Sequence, residues 1–348
     1  MPTLHKVKEG IKTSLKFGVY SLIILSIFLV LINIGKNLKE RFFPTPPPLP
    51  TVSFGKIPPN NFPKNATDKN LTYTLNTVSG TLPTFSDKAK VYKIFQPEPT
   101  LLSLKRAQES VGKISFTSQP IALSESIYQW TNNDNLSRKI IFNITSLNFN
   151  LSTNFLLTNQ NLLTNKYLDG AGAKDKAQSF FSTMDSFPDD IDLAQTRTSL
   201  FAVENGELVP ATSLSNATIV RVDFFQKDLD NIPIFYPNPS FSLIHALLTG
   251  SEPQGQIIEA SFFHHNISNK TATYPIKTAN EAFSQLKKGN AYIASYNGPS
   301  NEAVIKNVFL GYYLNDKEQD YLTPIIIFRG DYNFFAYVEA IKDDWIAK

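Results

Sequence analysis

Four histidines, no cysteine and a few clustered carboxylates are what this chain of 348 residues offers to chemistry. His5 lies near the N-terminus, His245 stands alone, and His264 and His265 are adjacent. Adjacent side chains on a strand leave opposite faces, so the pair does not converge on one metal, and no H-E-x-x-H spacing accompanies it. One solvated and one packed imidazole is the expectation. Ser110 and Lys113 have the S-x-x-K spacing of a serine acylation site, and Lys277-Thr278-Ala279 loosely matches a K-T-G element. That chemistry needs the serine at a helix N-terminus with the lysine one turn on. Here Ser110 falls at the end of its predicted helix, and Gly112 interrupts the turn. Glu204 and Glu207 face each other across Asn205-Gly206, near enough for acid–base work. A hairpin tip is solvated, however, with nothing apolar to raise a pKa. Asp185, Asp189, Asp190 and Asp192 would suit Ca²⁺ by charge, but the glycine and regular alternation of a calcium loop are missing. Pro188-Asp189-Asp190 reads instead as a helix-to-strand turn. With no glycine-rich phosphate loop either, no catalytic residue, metal ligand or cofactor is expected. The absence of cysteine excludes disulfides, thiol catalysis and thiolate metal sites.

The elements that must position any site begin with an anchor. From Phe17 to Ile34 the chain reads FGVYSLIILSIFLVLINI, uncharged and fenced by Lys16 and Lys36. At a rise of about 1.5 Å per residue this run reaches about 27 Å, against roughly 30 Å for the hydrocarbon core of a bilayer. Leu, Ile, Val and Phe outweigh Ser21, Ser26 and Asn33 on insertion. The run predicts a transmembrane helix with the lipid bilayer as its partner. Lys6, Lys8, Lys12 and Lys16 against Glu9 place the N-terminus in the cytoplasm by the positive-inside rule, and the C-terminal domain outside it. No A-x-A pattern ends the run, so it predicts an uncleaved single-pass anchor. Eight of the 22 prolines follow between Pro44 and Pro63. Proline fixes φ and removes a donor, which predicts an extended, semi-rigid stalk.

Beyond the stalk, a helix followed by strands recurs three times. Helices are predicted over residues 99–111 with Thr100 as cap, 173–184, and 279–288 between Thr278 as cap and Gly289 as stop. Asn205-Gly206 is the strongest hairpin signal, because both turn positions need φ > 0. Phe224-Phe225-Gln226 leads through a polar turn into Ile232-Pro233-Ile234-Phe235, and Tyr312-Tyr313-Leu314 leads likewise into Thr323-Pro324-Ile325-Ile326. Tyr128-Gln129-Trp130 before Ile140-Ile141-Phe142 is a looser copy. An α+β fold of repeated helix-plus-antiparallel-sheet units follows. The expected division is 1–16 cytoplasmic tail, 17–36 transmembrane anchor, 37–64 stalk, then units at 65–165, 166–276 and 277–348. Eight Asn-x-Ser/Thr triplets in an asparagine-rich chain are no more than chance supplies. The net charge of +3 is too small and too evenly spread to point to nucleic acid.

The stretches TANEAFSQLKKG (278–289), NVFLGYY (307–313), YLTPIIIFRG (321–330) and FAYVEAI (335–341) resemble the last unit of YycH/YycI-type regulators. The match extends loosely back to about residue 99. The resemblance implies one N-terminal membrane helix, PepSY-like α+β units outside the membrane, and a non-catalytic role tuning a membrane sensor kinase or a protease. The stalk departs from that pattern. Tyr312, Tyr313, Tyr321, Phe334, Phe335 and Tyr337 gather in the last unit, and aromatic residues are enriched at interfaces, so part of this set is a candidate protein-binding face. The leading expectation is a membrane-anchored extracytoplasmic binding or regulatory protein without an active site. A cell-envelope hydrolase with carboxylates distant in sequence, and a surface spacer or adhesin, are the alternatives.

Overall fold

The structure is a computed structural model, and it describes residues 20, 22, 25–26, 28–31, 49–158, 170–213, 215–249 and 256–347. Strands β1 (Thr72–Leu75) and β2 (Lys88–Ile94) precede helix α1 (Ser103–Gly112) and strands β3 (Ile121–Ala122), β4 (Ile127–Thr131), β5 (Arg138–Asn143) and β6 (Phe149–Thr153). Helices α2 (Phe155–Thr158) and α3 (Gly170–Thr183) lead to β7 (Ile191–Glu204), β8 (Glu207–Pro210), β9 (Ile219–Gln226) and β10 (Ile234–Phe235). Then come β11 (Ile244–Thr249), β12 (Ile257–Phe262), β13 (Ile267–Pro275), α4 (Ala279–Lys287), β14 (Tyr292–Ser295), β15 (Glu302–Tyr313), β16 (Tyr321–Gly330) and β17 (Phe334–Glu339).

Local signals act where they stand. Asn205 and Gly206 hold φ of 53° and 80° and join β7 to β8, with Glu204 opposite Glu207. Thr278 caps α4 in a full capping box with Glu281, and Gly289 at φ 81° ends the turn after it. Helix α1 starts later than predicted. Thr100 does not cap it, because its backbone N–H donates to Ser103 Oγ at 2.9 Å in the turn before the helix.

Two large sheets carry the fold. The nine-stranded sheet runs β3-β4-β5-β6-β12-β11-β9-β7-β8, antiparallel throughout. Alternation puts Ile140, Phe142, Phe149, Val222, Phe224 and Ala260 on one face, where Ala107 and Val111 of α1 and Ala173, Ala177 and Phe181 of α3 pack against them. Small residues on the helices let them approach closely. Each fully buried phenylalanine in this layer contributes about 1.5–3 kcal/mol by removal from water. The eight-stranded sheet is built on β1-β15-β16-β17-β14, with β10 paired to β15, and β2 linking β16 to β13. Helix α4 lays Ala282 and Leu286 on Ile326, Phe328 and Ala336 of this sheet.

This architecture overturns the expectation of repeated helix-plus-sheet units behind a transmembrane helix. The chain is mainly β. Strands of the first and second expected units are hydrogen-bonded into one sheet through β6 and β12. The third recruits β1, β2, β10 and β13 from earlier in the chain. The sequence repeat misleads for a physical reason. After Gln226 the chain leaves the nine-stranded sheet, and Ile234-Phe235 pairs parallel to Tyr312-Tyr313 in the other one. Similar strand–turn–strand residues thus serve a hairpin in one place and a sheet-to-sheet crossing in another. Residues 50–348 form one compact unit and residues 1–49 another.

Among the described residues no helix is long and apolar enough to cross a membrane. Within the run 17–34, residues 20, 22, 25–26 and 28–31 are helical and exposed; the rest of that run and of the tail lies outside the described residues. The expected stalk is also corrected from residue 50 onward. Ile57 is fully buried and bridges to Ile346, and Val52 and Phe54 pack with Val91, Tyr274 and Ile341. The Tyr274 hydroxyl donates to Gly55 O at 2.8 Å and accepts from Phe54 N–H at 3.1 Å. A tight turn at residues 52–55, closed by Gly55 N–H donating to Val52 O at 3.0 Å, interrupts the proline-rich segment, and Val52, Phe54 and Ile57 bind it down as a strap.

Candidate functional site

The motifs singled out above go to separate places. Ser110 Oγ donates to Met184 O at 2.8 Å while Lys113 pairs with Asp185, so both fasten α1 to the end of α3. Lys277 is buried, with Nζ donating to Glu339 O and Ile341 O and pairing with Asp343 at 2.7 Å. Glu204 and Glu207 are exposed at their hairpin. Asp192 accepts from Ala194 N–H and Gln195 at the register shift of β7. His245 Nδ1 lies 3.1 Å from Ser242 O, and its Nε2 is 3.9 Å from Glu259. No group of three or more metal-ligating side chains converges among the described residues.

The candidate binding aromatics are core. Tyr312, Tyr313, Phe334 and Tyr337 are fully buried, and Tyr321 and Phe335 are partly so. Tyr337 lies edge-on to Tyr292 and Tyr313 at 5.7 and 6.1 Å. Tyr312 meets Tyr92 at 5.5 Å, and its hydroxyl donates to Lys90 O. Burial pushes the phenols of Tyr312, Tyr313 and Tyr337 well above their ordinary value. These rings bind the two ends of β15 to its neighbours, and the reading of them as an exposed face is withdrawn. Aromatic clustering marks a core as readily as an interface, because both reward the same large apolar area.

The concave site lies elsewhere, at one end of the nine-stranded sheet. A cleft of about 780 Å³ is walled by residues between 94 and 99, 125–127, Ile141, residues between 143 and 150, 185–188, 262–266 and 316–318. Its position follows from an aromatic ladder. Phe142, Phe149 and Phe262 are direct cross-strand partners on β5, β6 and β12, with ring centroids 5.7 and 5.6 Å apart and planes within 16°. The His264 ring follows Phe262 at 6.0 Å.

His264 Nε2 sits 2.9 and 3.0 Å from the two Asp190 oxygens. Its backbone N–H donates to Asn148 Oδ1 at 3.0 Å. Gln226, the last residue of β9, donates from Nε2 to Asp190 at 2.8 Å and to His265 O at 3.2 Å. Burial alone would push the Asp190 carboxyl up, but the hydrogen bond and charge of His264, with the Gln226 bond, hold it below the usual carboxylate range. Asp190 therefore suits orienting an imidazole and not donating a proton. His265 is buried and turns the other way, its Nε2–H donating to Asn315 O at 2.7 Å. Burial is the main cause that lowers its pKa. That bond ties the turn carrying 316–318 to the network. Among the described residues no hydroxyl is hydrogen-bonded to His264, so no nucleophile–base pair is assembled here.

The sequence reading sends the two histidines to different surroundings, as found, but expects one of them solvated, whereas the His264 side chain is only 16% exposed and pairs with Asp190 across 74 positions. Neither residue carries a local signal, and only the register of β9 against β7, with Gln226 opposite Ile191, brings Asp190 into reach.

No protein-family model matches the sequence, and no curated protein is similar to it. The crystal structure of an uncharacterized protein from Eubacterium rectale ATCC 33656 is similar over 80% of this chain and 92% of that one, with 13% identity and a TM-score of 0.41.

Proposed function

We propose that this chain is a non-catalytic binding or regulatory protein whose recognition surface is the cleft beside His264. Lipid bilayer engaged through the apolar run 17–34 holds it at a membrane. Its partner is another membrane protein, a sensor kinase or a protease. The observation that carries this reading is the exposure of Phe95, Ile141 and Leu147, at 55, 42 and 44%, all in one concave site of ligand-sized volume. Scattered exposed apolar residues are ordinary, but apolar side chains gathered in a cleft mark recognition. Among the described residues no hydroxyl is hydrogen-bonded to His264, so the His264–Asp190 pair is read as part of the recognition surface.

The test is photo-crosslinking of the full-length chain in its native membrane. A photoreactive side chain at Leu147 should capture a sensor kinase or membrane protease, and capture should vanish with Ile141→Asp. The same probe at Tyr332, 60% exposed and outside the cleft, should capture neither. Equal capture from both positions, or envelope-polymer hydrolysis abolished by Asp190→Asn, would overturn the reading.

A further inference from the structure

We infer that the cleft takes an extended peptide segment whose apolar side chains alternate with lysine or arginine. This inference rests on the reading of the cleft as the recognition surface and names the chemistry of what fills it.

The floor and the charges come from different segments, so the two observations are independent. Ile121, Gln129, Ile141 and Asn150 are successive cross-strand partners in one row over β3, β4, β5 and β6. The row lies on the face opposite the helices, because the neighbours Ile140, Phe142 and Leu151 point to α1 and α3. Ile121 is 55% exposed and Leu123, beside it, is 52% exposed, which continues the apolar floor beyond Ile141. An open sheet face with alternating isoleucine and amide side chains suits an extended segment. The amides of Asn150 and Asn266 are exposed at the cleft, where they can pair with peptide groups.

The charge lining the cleft is mainly acidic. Glu125, Asp316 and Glu318 line the cleft, are exposed, and form no ion pair among the described residues. Asp185 is already neutralised by Lys113, and Lys317 is the one lysine or arginine among the lining residues. Complementary charge at a rim governs encounter and choice of partner more than raw affinity. A cationic, partly apolar peptide meets both features, whereas an acidic one would be repelled. A saccharide would use exposed tryptophan or tyrosine platforms, but Trp130 is buried and Trp345 lies outside the cleft.

The experiment uses the full-length chain in detergent micelles and three fluorescent hexapeptides: alternating Leu/Lys, alternating Leu/Glu, and Gly/Ser. Fluorescence anisotropy should show binding of the Leu/Lys peptide alone. The double variant Glu125→Lys/Glu318→Lys should weaken it about tenfold, as should raising salt from about 50 to about 500 mM. Ile141→Asp should abolish it, while Leu193→Asp, exposed and outside the cleft, should leave it unchanged. All four positions are exposed, and circular dichroism of each variant checks that it folds. Equal binding of the Leu/Glu or Gly/Ser peptide, or indifference to the double charge reversal, would overturn the inference. A neutral oligosaccharide probe, cellohexaose, separates the two levels. Ile141-dependent binding of that sugar or of an uncharged peptide leaves the cleft as the recognition surface and removes the basic peptide. No Ile141-dependent binding of any probe removes both.

Discussion

Acid acts on the His264 network in two separate windows. His265 is held neutral by burial, so its folded pKa lies below the ordinary value of about 6.5. The unfolded chain then binds a proton that the fold refuses, and stability present above about pH 6.5 is lost as pH falls towards the folded value, by up to about 1.4 kcal/mol per pH unit. Asp190 also has a lowered folded pKa, but its window opens only below the ordinary carboxylate value of 3.8. Urea unfolding of the full chain from pH 7.5 to 3 should therefore show two descending limbs. His265→Gln, which keeps a donor for Asn315 O, should remove the first limb, and Asp190→Asn should shrink the second, which Asp230 and Glu281 also feed through their lowered carboxyl pKa. Asp190 is 41% exposed, so solvent screening limits the loss in Asp190→Asn at pH 7 to about 1 kcal/mol. Glu339 runs the opposite way. Burial raises its pKa, against the Asn60 N–H bond and the charge of Lys277, so stability present at low pH is lost as pH rises through the folded value. Glu339→Gln keeps an acceptor for Asn60 and should raise the melting midpoint at pH 7 by about 2 °C, with no gain at pH 4.

At the scale of elements, two glycines make a paired test of how β15 and β16 are held. A Cβ on Gly330 would meet Val304 O at 2.1 Å, where the β15–β16 register shifts between Ile305 and Asn307. That contact is backbone, so the strands must part. Gly330→Ala should lower stability by about 2–4 kcal/mol, seen as a shifted urea midpoint. Gly112, the last residue of α1, has nothing within 4 Å of its added Cβ. Gly112→Ala should stabilise by about 0.5 kcal/mol, since a terminal position gains only part of the interior helix propensity. The reverse order of these two effects would mean that the β15–β16 bulge is softer than its packing implies. Helix α4 was legible in sequence because its capping box and stop glycine lie within twelve residues, between Thr278 and Gly289. Helix α1 was legible in its middle but not at its start, where Leu102 precedes it without a side-chain cap.

For the whole molecule, the strap makes the N-terminal boundary of the folded unit a measurable quantity. Residues 50–63 cover Val91, Tyr274 and Ile341, and Ala347 N–H donates to Ile57 O at 2.8 Å. A fragment of residues 50–348 should unfold at the same temperature as the full chain. One of residues 65–348 should lose several degrees, because Ile57 alone buries a full isoleucine side chain, whose truncation to alanine typically costs about 2–5 kcal/mol. Equal melting of the two fragments would show that the strap contributes nothing to stability.

Signals that depend on a few neighbouring residues could be read directly from the sequence: the Asn205-Gly206 hairpin, the Thr278 cap, the alternation that gives β5 its buried Ile140 and Phe142, and the apolar composition of the run 17–34. Position 264 was equally visible as a histidine with a neighbour on the opposite side. Sheet membership was not, because a strand's side-chain pattern says which face is apolar and not which strand lies beside it. Tertiary structure alone decided that β6 pairs with β12, that Ile234-Phe235 leaves for the other sheet, and that residues 50–63 lie on the domain. It also decided the site. Asp190, Gln226 and His264 meet, and His265 reaches Asn315, only because two sheets and their connecting turns close on one another, and no local pattern encodes contacts made across 36 to 74 positions.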